Sequence, residues 1–88
     1  MNEQSILEEM LTLLEAGGVI IRREPLGGSG GGLCAIKGQH IFFFDTQASS
    51  TDVAAICAEA IPQFVDVETI YIKPEVRQFI EEHSNHFS

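Results

Sequence analysis

The chain has 88 residues, with 13 acidic and 5 basic side chains and a formal net charge of −8 at pH 7. A chain of this length forms a single domain and buries only about 60–65% of its unfolded surface, which makes pairing with a second copy a common source of extra burial. The charge argues against nucleic acid, whose phosphates call for a basic face, and against an anionic membrane surface. Apolar residues make up 44% of the chain, enough for an ordinary core. Two cysteines are too few for a disulfide framework and suit a reducing compartment. The opening "MNEQSILEEM" has no basic region and no small-residue cleavage site, and no apolar run reaches membrane-spanning length. A cytoplasmic protein is expected.

Residues 3–16 carry Ile6, Leu7, Met10, Leu11, Leu13 and Leu14 at helical spacing, with Glu8, Glu9 and Glu15 on the other side. Gly17 stands where a glycine ends a helix. "VIIRRE" reads as a strand that stops at Pro25. Five of the six residues from Gly27 to Gly32 are glycine, which predicts a flexible loop over 27–32. Next comes "LCAIKGQHIFFFD", two apolar runs around Gly38-Gln39, which predicts a β-hairpin over 33–37 and 40–45.

A turn centred on Gly38-Gln39 sets Lys37 opposite His40, Ile36 opposite Ile41, Ala35 opposite Phe42, Cys34 opposite Phe43 and Leu33 opposite Phe44. Period two then puts Cys34, Ile36, Ile41 and Phe43 on one face, and Leu33, Ala35, Phe42 and Phe44 on the other. Both faces are apolar, so both should be covered.

Ser49 with Asp52 resembles a capping box and opens a helix over 50–61, with Val53, Ile56, Cys57, Ala60 and Ile61 on its inner face and Pro62 as its stop. "TIYI" at 69–72 is compatible with a short strand. Pro74 and Glu75 open a last helix over 74–83, with Val76, Phe79, Ile80 and His83 facing inward. The tail beyond it should fray. The order helix, strand, hairpin, helix, short strand, helix gives an α+β domain with a small, mostly antiparallel sheet.

The glycine run contains Gly30-Gly31-Gly32-Leu33-Cys34-Ala35, a literal match to G-x-G-x-x-A. The dinucleotide fingerprint requires a strand before it and a helix after it, and here a strand follows. No Lys-Ser/Thr follows the last glycine, so a phosphate-binding P-loop is also unsupported. His83 and His86 are three apart and could share a metal with Glu82, but no third strong ligand lies nearby, and no metal or cofactor is expected. His40 flanks the turn and should be exposed. Cys34 and Cys57 both point toward the predicted core, without an adjacent cation to activate a thiolate. Asp45, Asp52, Glu59, Asp66 and Glu68 read as solvated carboxylates, with Glu59 the one that sits behind the hairpin.

From Gly32 to Pro62 the order "GGLCAIKGQHIFFFD", polar start signal, helix with "ICAEAI" resembles the core of the ImmA/IrrE metallopeptidase family, where a hairpin precedes a helix bearing H-E-x-x-H. On that alignment Glu59 matches the general base, while Ala58 and Pro62 stand in place of the zinc-binding histidines. The resemblance implies a related scaffold without the chemistry. The chain as a whole also resembles short bacterial proteins, a likeness that implies no activity.

The residues favour a non-enzymatic domain that forms a homodimer or docks a protein partner, with Leu33, Ala35, Phe42 and Phe44 as the interface. The alternative is a small-molecule or anion-binding protein, or a degenerate enzyme, with a site between the glycine loop and the hairpin–helix cleft served by Arg22, Arg23 and Glu59. A third reading, an acidic surface that captures a basic partner, rests on charge alone.

Overall fold

The computed structural model describes residues 1–84; the expected fraying of the tail and the pairing of His83 with His86 lie outside the described residues. Helix α1 spans Glu3–Ala16 and starts at Asn2, whose side-chain oxygen accepts the Ser5 amide proton at 2.8 Å. This cap offsets one of the unpaired donors of the first turn. Leu7, Met10, Leu11 and Leu14 are buried along one face. At the far end the Gly17 amide donates to Leu13 and Leu14 carbonyls, and the chain reverses into the sheet.

Strands β1 (Ile20–Glu24), β2 (Gly31–Ile36) and β3 (Gln39–Asp45) form one sheet in the order β1-β3-β2. The β2–β3 hairpin is antiparallel, whereas β1 runs parallel to β3, so the sheet is mixed. The last two glycines of the run are strand residues: Gly31 pairs with Phe44 and Gly32 with Phe43.

The turn falls one residue earlier than the sequence predicts. Its central residues are Lys37 (φ 51°) and Gly38 (φ 79°), so Ile36 faces Gln39, Cys34 faces Ile41 and Leu33 faces Phe42. A type I′ turn needs positive φ at both central positions and favours glycine at the second. Lys37-Gly38 meets that rule; Gly38-Gln39 would put glycine first. The correction moves each β2 residue by two places along β3, which leaves membership of the two faces unchanged.

Helix α2 spans Ser50–Phe64, capped by the Ser49 hydroxyl, which accepts the Asp52 amide proton at 3.1 Å. It does not stop at Pro62. Proline this close to the C-terminus removes only its own N–H from the ladder, and the Val65 amide still donates to the Ile61 carbonyl at 3.0 Å. Thr69 closes a turn onto Asp66, and Tyr71 is 82% exposed, so 69–72 is connector and adds no strand. Helix α3 spans Pro74–Ser84, with Val76 and Ile80 in the core and Phe79 stacked on His83 at 4.1 Å.

Helices α1 and α2 pack against each other and against the sheet, and α3 packs on both of them. The result is an α+β fold with its core between the helices and one sheet face. Phe42 is 0% exposed at the centre of that core, with Ile21, Leu33 and Phe44 packed around it. The face assigned from sequence to a partner is therefore covered by the chain's own helices, and Ala35 lies exposed beyond them. Phe42→Lys is expected to unfold the protein. Loss of a buried phenylalanine alone costs about 3–5 kcal/mol, and an unpaired buried ammonium adds to that. Circular dichroism and an amide NMR spectrum of the variant would check this; a folded variant would place Phe42 outside the core.

Candidate functional site: the open sheet face and the glycine loop

No helix among the described residues packs on the second face of the sheet. Strand pairing lines up its side chains in rungs: Ile36 beside Gln39, then Cys34–Ile41–Ile20, then Gly32–Phe43–Arg22, then Asp45 beside Glu24. Ile20 is 41% exposed and Ile36 is 45% exposed. Ile41 is buried, at 7% exposure, and lies outside the helix-side cluster. The Arg22 guanidinium sits 5.7 Å over the Phe43 ring and bridges to Glu24 at 2.9 Å. Both partners of that bridge are substantially exposed, so it steers the side chains more than it stabilises the fold.

Gly32 leaves a gap on the β2 edge of this face. A Cβ built there would meet nothing within 4 Å. Around it, reaching over the β2 edge, opens a groove of about 560 Å³ lined by Leu26, Ser29, Gly31, Leu33, Cys34 and Phe43. Leu26 is 42% exposed at its rim. The lining is mostly apolar and carries no charged side chain.

The glycine loop forms one wall of this groove, and a buried carboxylate holds it. Asp45 is 0% exposed. Its Oδ1 accepts from the amides of Leu26 and Gln47, both at 2.9 Å, and its Oδ2 accepts from Gly28 at 2.7 Å and Gly30 at 3.1 Å. The Gln47 side-chain oxygen adds a bond from the Gly27 amide at 2.7 Å. Burial pushes the Asp45 carboxyl toward higher pKa, but four backbone donors outweigh it and hold the group at about 2, below the ordinary carboxylate value. Glycine-rich backbone does form an anion cradle here, as such loops can. The anion is the chain's own. An external phosphate would have to displace Asp45 to reach those amides.

Asp45 is thus the site residue that sequence reasoning misplaced among the solvated carboxylates. The available signal was an acid at the end of "IFFFD", an apolar strand, in a chain whose only glycine run offers several free amides.

The residues proposed for an anion site are kept apart. Arg22 and Arg23 are neighbours on β1, so they point to opposite faces, over Phe43 at 5.7 Å and Phe44 at 5.3 Å. Glu59 is exposed on α2, across the sheet from Arg22. Ala58, beside it, is fully buried. Cys57 lies in the core, where burial pushes its thiol up to about 12 and leaves it inert as a nucleophile. Cys34 is corrected from core to exposed, on the open face. Among the described residues no group of three or more His, Cys, Asp or Glu is placed to hold a metal ion, and no helix is long and apolar enough to cross a membrane.

No family model matches the sequence, and neither a curated protein nor a solved structure is found to match it.

Proposed function

We propose that the chain is a small protein-interaction domain, working through the helix-free face of its sheet rather than through the Phe42 face. The observation that carries this reading is a two-layer fold with one sheet face left bare and apolar: Ile20, Ile36, Cys34 and Phe43, with Leu26 and a groove at Gly32. Antiparallel or mixed sheets with a solvated face normally alternate toward polar side chains there. The largest exposed apolar patch on a small protein is often a functional contact surface. The anion-site alternative has less support, because the loop amides are already bonded to Asp45 and the two arginines diverge.

A photo-reactive residue placed at Ile36 tests this directly. Ile36 is nearly half exposed and covers none of the core, so the variant folds. Irradiation in cells that express the chain should give covalent adducts at Ile36. A control position on the exposed side of α2, such as Glu59, should give few. Equal or absent cross-linking at the two positions would sink the reading.

A further inference from the structure

The partner of this face is open to a more specific assignment, which rests on the reading above. The charges divide unevenly between the two layers. Of the thirteen carboxylates, only Glu24 and Asp45 lie on strands; Asp45 is buried and Glu24 is bridged to Arg22. Three of the five cations, Arg22, Arg23 and Lys37, lie on the strands and their tight turn. The remaining eleven carboxylates sit in the helices and their connectors, against Lys73 and Arg77 alone. The helix layer is strongly acidic and the sheet layer is slightly basic.

We infer that the open sheet face binds a second copy of this chain, packed sheet to sheet. The charge distribution favours this contact over one made through the helix layers. Stacked sheets lie about 10 Å apart, and each helix layer adds a comparable distance, so the two acidic layers end up on opposite outsides. They are then separated by well over a Debye length, about 8 Å at physiological salt. Contact through the helix layers would press like charges together.

The relief of the face is also self-complementary. Ile20 stands proud on β1, at one side of the sheet, and the Gly32 groove lies on β2, at the other. A two-fold axis running along β3 lays the β1 side of one copy over the β2 side of its partner and keeps each rung in place, so Ile20 of each copy meets Cys34 at the rim of the groove and Arg22 lies over the Gly32 gap.

Size sets the strength. Three strands about 4.8 Å apart and six residues long cover roughly 300 Å², well under the ~800 Å² per partner of a standard stable interface. The pair is expected to be a weak one, below the size of a standard stable interface.

Sedimentation equilibrium from about 5 μM to 1 mM, at low and high NaCl, tests the assignment. The expected result is a monomer–dimer equilibrium that tightens by roughly threefold or more in high salt, because salt screens repulsion between two chains of charge −8 while apolar contact persists. Ile20→Glu, at the ridge, and Cys34→Glu, at the recess, should each weaken it by about tenfold or more. Their thermal midpoints at low concentration should stay within a few degrees of the parent, since both side chains are exposed. Three results would overturn the inference: a monomer up to 1 mM at both salts, a dimer that survives both substitutions, or one that dissolves in high salt. Adducts at Ile36 that contain only a different protein would overturn the second copy and leave the interaction surface standing; no adducts would remove both.

Discussion

Asp45→Asn is expected to lower the thermal midpoint by about 10 °C or more at pH 7. The two carboxylate oxygens each accept two amide protons, from Leu26 and Gln47 on one side and from Gly28 and Gly30 on the other. Asparagine has the same shape but one acceptor oxygen. Whichever way it turns, its NH₂ group faces two N–H donors, so two bonds are lost and two donors are set against two more. The glycine loop should then release, taking Leu26 and one wall of the groove with it. The acid limb carries an independent sign. The folded pKa is depressed to about 2, from a usual value near 4. Stability from ionised Asp45 is therefore complete above pH 4 and lost as pH falls through 2. The gap between parent and variant should be full at pH 7 and at pH 5, and should narrow between pH 4 and pH 2. Thermal melts across that range would check both claims. An unchanged midpoint at pH 7 would mean that the carboxylate does not organise the loop.

The helices were legible in the sequence because local rules decide them. Leu7, Met10, Leu11 and Leu14 recur at 3.6-residue spacing, and the Ser49–Asp52 cap is a contact between near neighbours. The hairpin faces were legible for the same reason, since period two survives a turn that is misplaced by one residue. What was not legible depends on contacts distant in sequence. Which face the helices cover cannot be read from a hairpin apolar on both sides, and that alone moved the candidate interface from Phe42 and Phe44 to Ile20, Cys34 and Ile36. The parallel pairing of β1 with β3 left no local mark. The role of Asp45 rests on bonds to residues 15 to 19 positions earlier, across two strands' worth of chain. Pro62 misled for a different reason: proline removes one N–H bond and crowds the carbonyl four residues back, and here α2 continues for only two residues beyond it.

Gly31→Ala is expected to be the most damaging small substitution in the sheet, and Gly18→Ala isolates why. The two glycines have nearly the same φ, +90° at Gly31 and +93° at Gly18. At Gly18 an added methyl would meet nothing within 4 Å; at Gly31 it would run into the Phe43 carbonyl oxygen and lie 3.3 Å from the Asp45 amide nitrogen. Gly18→Ala therefore carries only the cost of a side chain in the left-handed region, about 1–2 kcal/mol. Gly31→Ala carries the same strain and must also push β2 away from β3, a further 1–3 kcal/mol or more by analogy with overpacked cores. A domain of this size has a total stability of roughly 4–13 kcal/mol, so the second variant should be marginal or unfolded while the first remains native. The displaced strand is also the one that carries Cys34 and the recess at Gly32, so any Gly31→Ala protein that does fold should have lost self-association. Urea titration of both variants, read by far-UV circular dichroism, would measure the difference. Equal midpoints would show that β2 yields at Gly31 without cost, which would contradict the tight Gly31–Phe44 pairing on which the groove is built.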